Sequence, residues 1–79
     1  MKLIFYIERI QLIHRLISAR NTGTPSELAG KLHISVSRLS RIIEELRETG
    51  APIRYDRQSK TYYYENPYEI TISLSFRSV

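Results

Sequence analysis

Thr24-Pro25-Ser26-Glu27-Leu28-Ala29-Gly30-Lys31-Leu32-His33-Ile34-Ser35, running on into Val36-Ser37-Arg38-Leu39-Ser40-Arg41-Ile42-Ile43-Glu44-Glu45-Leu46, is the stretch that decides the fold. Thr24 reads as a helix N-cap, Pro25 as the first helical residue and Glu27 as the returning half of a capping box. That helix ends near Leu32, His33-Ile34-Ser35 turns the chain, and Ser35 caps the next helix. Leu39, Ile42, Ile43 and Leu46 then share one face at the helical period. Ala29 is small where the two helices must cross. Two short helices joined by so tight a turn form a helix-turn-helix, a device for placing the second helix in the DNA major groove.

Outward from this motif, Leu3 to Arg20 has the period of a long helix. Glu8, Gln11, Arg15 and Ser18 fall on a polar stripe. Leu3, Tyr6, Ile7, Ile10, Ile13 and Ile17 make one apolar face, and Phe5, Leu12 and Leu16 a second. Two faces fit a helix that packs on its own core and also on a second chain, or one sunk deep in its own domain. Asn21-Thr22-Gly23 closes this helix, with Gly23 suited to the left-handed conformation beyond a helix end.

Downstream, Gly50 stops the third helix after about Thr49. Ile53-Arg54-Tyr55-Asp56 and Thr61-Tyr62-Tyr63-Tyr64 read as a hairpin around Arg57-Gln58-Ser59-Lys60. Ile53, Tyr55, Tyr62 and Tyr64 share its inner face and Tyr63 points out. Asn66-Pro67 breaks the pattern. Tyr68, Ile70, Ile72, Leu74 and Phe76 alternate with Glu69, Thr71, Ser73 and Ser75, the mark of a last strand with one buried side. The expected fold is α+β, three helices and a hairpin wing over residues 1–67. Residues 68–79 add a C-terminal strand, a candidate dimerisation element.

The matching positions are Leu28-Ala29, Leu32, Ile34-Ser35, Leu39, Arg41-Ile42, Leu46-Arg47, Gly50, Pro52-Ile53, Tyr62 and Tyr64. Over about residues 7–64 the chain resembles the winged helix-turn-helix domain at the front of many bacterial transcriptional regulators, notably the biotin-repressor-like and DeoR/WYL-like groups. The resemblance implies that helix 36–49 is the recognition helix and hairpin 53–64 the wing. It departs from the pattern at His33, where the family's turn usually has glycine, and at a wing tip without glycine. Such domains usually precede an effector-binding or catalytic domain, so a front domain of a larger regulator or enzyme is an alternative to a standalone protein.

Charge agrees with a nucleic-acid partner. Seventy-nine residues carry a formal net charge of +4, and the excess falls on the helical half. Residues 1–43 hold seven cations against two anions, and residues 44–79 five against six. If helix 3 buries its apolar face, Ser37, Arg38, Ser40 and Arg41 point outward near its start. Arginine pairs bidentately with guanine and short hydroxyls reach base or phosphate without crowding the groove. Arg38 and Arg41 are the expected base readers, supported by Ser35, Ser37 and Ser40. Arg54, Arg57 and Lys60 on the wing are expected to hold phosphate, with Ser26 and Lys31 as weaker candidates. The competing expectation for the two arginines is ion pairing with Glu44 or Glu45.

Other classes find little support. No catalytic constellation, glycine-rich phosphate loop or small-molecule site is visible, so no enzyme and no cofactor are expected. His14 and His33 lie in different elements without a cysteine or close carboxylate, which argues against a metal site. His14, at the edge of an apolar face, reads as a hydrogen-bonded histidine of the core or an interface. The alternating tyrosines read as core rather than a single-strand stacking platform. The absence of cysteine suits a reducing compartment, and the apolar run from Leu3 to Ile7 is too short for a leader or membrane span, so a cytoplasmic site is expected. The sequence thus points to sequence-specific duplex DNA binding by a homodimeric transcriptional regulator. A winged-helix protein-interaction module is the alternative, since Glu44, Glu45 and Glu48 on helix 3 would repel phosphate.

Overall fold

The computed structural model describes residues 2–69, in the order α1 (Lys2–Ser18), α2 (Pro25–Leu32), α3 (Val36–Glu48), β1 (Ile53–Asp56) and β2 (Thr61–Tyr64). Three helices followed by an antiparallel two-stranded hairpin form an α+β, winged-helix layout. The expected last strand lies outside the described residues from residue 70 onward. Tyr68, its first residue, packs against the core with its ring 5.3 Å from that of Tyr64.

The core is assembled from one face of every element. Ile10, Ile13 and Ile17 of α1 meet Leu28, Ala29 and Leu32 of α2, and Leu39, Ile42 and Ile43 of α3. Ala51, Ile53 and Tyr62 close it from the hairpin side. Ala29 is buried, as expected where α2 and α3 cross. The polar stripe Glu8, Gln11, Arg15 and Ser18 is exposed throughout. Of the second apolar stripe of α1, Leu12 and Leu16 are partly buried against the chain's own core and Phe5 is exposed. Leu3 and Tyr6, at the start of the first face, are exposed as well.

Each helix ends in the same way. At the close of α1 the Arg20 amide donates to the Ile17 carbonyl and the Asn21 amide to that of Leu16. After α2, His33 and Ile34 repeat this pair of bonds to Gly30 and Ala29, and after α3, Gly50 and Ala51 repeat it to Arg47 and Leu46. These paired bonds are Schellman closures, which require a left-handed residue just past the helix. Arg20 (φ 54°), His33 (φ 57°) and Gly50 (φ 104°) supply it. The expectation for α1 is therefore corrected, since Arg20 rather than Gly23 makes the closure. Gly23 is also left-handed (φ 76°), and a Cβ there would lie 2.9 Å from Glu27 Cβ and obstruct the capping box.

Hairpin register follows the sequence pattern. Ile53 pairs with Tyr64, Arg54 with Tyr63, and Tyr55 with Tyr62. Ile53, Tyr55, Tyr62 and Tyr64 face the core, and Tyr63 lies on the other side beneath the Arg20 guanidinium, 4.8 Å from its ring centroid. The tip turns without glycine because Lys60 takes the left-handed conformation (φ 54°) and Asp56 holds the turn. Its carboxylate accepts from the Ser59 hydroxyl at 2.6 Å and the Gln58 amide at 3.0 Å, and those bonds hold its pKa below the usual carboxylate range.

Wing and helices are latched by a buried pair of threonines. The Thr22 hydroxyl accepts from the Tyr62 amide at 2.8 Å and donates to the Gly23 carbonyl at 2.9 Å. The Thr22 amide in turn donates to the Thr61 hydroxyl at 3.2 Å. Both side chains are buried, so the α1–α2 loop and β2 satisfy each other's backbone groups away from water.

Candidate nucleic-acid interface

Placement of the candidate interface begins with two N-caps. The Thr24 hydroxyl accepts from the Glu27 amide, and the Glu27 carboxylate accepts from the Thr24 amide. The bonds from Thr24 hold the exposed Glu27 carboxyl below its ordinary pKa. Ser35 caps α3 by accepting from the Arg38 amide at 3.0 Å. Its hydroxyl oxygen is thus committed to the helix start, although Ser35 itself is exposed. His33 sits in the left-handed region between these caps, and its backbone sets the direction in which α3 leaves the turn.

α3 carries two surfaces. Leu39, Ile42 and Ile43 are buried against α1 and α2, while Ser37, Arg38, Ser40 and Arg41 are all exposed on the first half of the helix. Neither Arg38 nor Arg41 makes an ion pair among the described residues. The alternative pairing with Glu44 or Glu45 is absent there, because Glu44 is taken by Arg47 at 2.6 Å. Glu45 and Glu48 are exposed further along the helix. The cationic half of α3 is thus its N-terminal half, and the acidic half lies one to two turns away.

On the wing, Arg57 and Lys60 are exposed at the tip. Arg54 lies on the outer face, 3.6 Å from Glu65, with both side chains more than half exposed. An ion pair so open to water contributes little and leaves the guanidinium accessible. Of the weaker candidates on α2, Ser26 and Lys31 are both exposed, but the Lys31 ammonium is engaged by the preceding loop. Its ammonium donates to the Asn21 carbonyl at 3.1 Å and the Thr22 carbonyl at 3.2 Å.

One residue that braces the candidate interface shows in the sequence only as a position of the family pattern. Arg47 Nε donates to the Ile53 carbonyl at 3.1 Å, tying the end of α3 to the start of the wing while Nη1 holds Glu44. His14 meets its expectation, with Nδ1 2.8 Å from the Tyr64 hydroxyl. Burial pushes the Tyr64 phenol up to about 12, and burial also raises that of Tyr62. Among the described residues no group of side chains could hold a metal ion, and no helix is long and apolar enough to cross a membrane.

A family model described as HTH (helix-turn-helix) domain matches residues 8–64, well over half of the chain. The match begins within α1 and ends at the last residue of β2, so it takes in the helical motif and the wing together. No curated protein and no solved structure matches the chain.

Proposed function

The chain belongs to the HTH domain family, and from that premise we propose that it binds duplex DNA sequence-specifically as a transcriptional regulator rather than catalysing a reaction. In this reading helix 36–49 enters the major groove and wing 53–64 lies on flanking backbone. One observation carries it: Ser37, Arg38, Ser40 and Arg41 are exposed together on the first half of α3, with neither arginine held by a carboxylate among the described residues. Arg38 and Arg41 read base edges, Ser37 and Ser40 support them, and Arg54, Arg57 and Lys60 hold phosphate. Ser35 acts chiefly by fixing where the helix begins.

The proposal includes pairing of two copies in the cytoplasm, supported by the alternating apolar sequence of residues 68–76. Residues 1–67 would then be the DNA-binding unit and 68–79 the pairing element. A two-fold pair sets its recognition helices about 34 Å apart, or a multiple of that, on a pseudo-palindromic site.

Selection from random duplexes at near-physiological salt tests both clauses, since an enriched two-fold motif is expected. Arg38→Ala should relax the base preference at one position by about 5- to 150-fold, the loss of one bidentate guanine contact. Lys60→Ala should weaken all sequences alike and flatten the salt dependence. Wild-type affinity and selectivity in both variants would refute the docking. Affinity that ignores salt would instead favour the protein-interaction alternative, and sedimentation as a 9.3 kDa monomer at micromolar concentration would refute the pairing clause.

A further inference from the structure

The first turns of α1 carry four consecutive exposed apolar side chains, Leu3 (46% exposed), Ile4 (49%), Phe5 (63%) and Tyr6 (45%). Leu3, Phe5 and Tyr6 do not simply face solvent. With Arg9 of the same helix and Arg38 of α3 they line a groove of about 490 Å³, within the size range of small-ligand sites. Its lining joins apolar and aromatic side chains to two arginines from different helices. Arg38 makes no ion pair among the described residues, and neither does Arg9. Residues 29 positions apart in the chain meet here, which is why the sequence shows no small-molecule site.

The chemistry of this lining specifies its occupant. A wholly apolar ligand would leave two cations unanswered, and a bare inorganic anion would leave the aromatic side chains wet. A flat apolar body bearing one carboxylate answers both, since a guanidinium fork matches a carboxylate bidentately and stacks on aromatic faces. We propose that the groove between α1 and α3 binds a small aromatic monocarboxylate, its ring on Phe5 and Tyr6 and its carboxylate on Arg9 and Arg38, and that occupancy withdraws Arg38 from DNA. The regulatory clause rests on the reading of Arg38 as a base-contacting residue, and the binding clause does not. A ligand that engages the free protein but not the DNA complex weakens DNA binding by linkage.

The test uses the full chain and 3-phenylpropionate, followed by the backbone amide shifts of residues 3–9 and 36–41. Saturable binding is expected at or below about 1 mM, the range open to so small a ligand. Arg9→Gln should weaken it by about tenfold or more, as should Phe5→Ser, while Lys60→Ala leaves it unchanged. The uncharged amide, 3-phenylpropionamide, and inorganic phosphate should each fail to saturate. No saturation by about 10 mM overturns the proposal, as does equal binding by the amide or by phosphate, or indifference to Arg9→Gln. If the wild type instead sediments as a dimer that Phe5→Ser dissociates, and takes up no phenylpropionate, the groove belongs to a second copy and the proposal also falls. On DNA, saturating phenylpropionate should raise the apparent Kd of the wild type but not of Arg9→Gln. An unchanged Kd with the ligand bound overturns the regulatory clause. A wild type that binds no DNA at all refutes the proposed function and leaves the groove to be decided by the shifts.

Discussion

Thr22→Val deletes one buried hydroxyl and nearly preserves the side-chain volume, so its effect isolates the latch between the helices and the wing. Thr22 is fully buried, and its hydroxyl is the acceptor for the Tyr62 amide at 2.8 Å. Valine leaves that amide unpaired beside a side chain only 7% exposed, where water has poor access. An orphaned buried donor costs about 1–3 kcal/mol, and the lost bond to the Gly23 carbonyl adds about 1 kcal/mol. A domain of this size has roughly 4–12 kcal/mol of stability in all, so the loss removes a large share of it. Urea unfolding followed by circular dichroism should show a lower midpoint with an unchanged slope. A loss of about 2 kcal/mol lowers Tm by about 8–16 °C. Thr22→Ser keeps the oxygen and should cost only the methyl group, about 1 kcal/mol. In a double-mutant cycle Thr22→Val and Thr61→Val should be coupled by at least about 0.5 kcal/mol, because the two hydroxyls lie 3.1 Å apart and each accepts a backbone amide from the other's segment. If Thr22→Val stays within about 0.5 kcal/mol of wild type while Thr22→Ser is the worse variant, packing rather than hydrogen bonding holds the wing, and the reasoning is wrong.

The left-handed helix closures give a second prediction. His33→Gly removes a side chain from a strained position and should raise stability by about 1 kcal/mol, whereas Arg20→Gly should gain less because it also loses the contact over Tyr63. Thermal melts of the two variants rank them. At the start of α3, Ser35→Ala should cost about 0.5–2 kcal/mol, and Ser35→Asp, another good N-cap, should restore most of it. Proposed phosphate proximity there would make Ser35→Asp the weaker DNA binder despite its recovered stability, which a parallel binding assay checks. In alkali, Tyr64 is held neutral in the fold to about pH 12, whereas its unfolded phenol ionises near 10. Its folded pKa is the raised one, so its contribution is complete below pH 10 and is lost as pH rises towards 12. Ultraviolet titration should therefore show Tyr64 ionising late, with Tyr62 also above the ordinary range, and unfolding should set in between those pH values. Ionisation of all six tyrosines near pH 10 in the folded protein would contradict its burial.

Much of the molecule is written in short-range rules. The capping box at Thr24 and Glu27, the cap at Ser35, the three-and-four spacing of Leu39, Ile42 and Ile43, and the alternation of Ile53 with Tyr55 each act over a few residues. Neighbours along the chain determine such features, so the boundaries of α2, β1 and β2 were legible to the residue. The outward direction of Arg38 and Arg41 was legible for the same reason, as it is the complement of the buried face. Expectations failed where a distant partner decided the matter. Gly23 suited the end of α1 by local preference, yet Arg20 closes it, and the Arg20 guanidinium lies over the face of Tyr63 from the far strand.

By itself, then, the sequence determined the order and type of the elements, the cationic half of α3 and the family over residues 8–64. Only the tertiary structure decided that Lys31 bonds to the α1–α2 loop, that Thr22 latches onto Thr61, that Arg47 braces α3 against the wing, and that Arg9 and Arg38 share one groove. Helical and strand periods arise from repeating backbone geometry and so leave a mark on the chain. A hydrogen bond or groove between residues on different elements, here 6 to 39 positions apart, depends on how finished elements pack, and packing leaves no period to read.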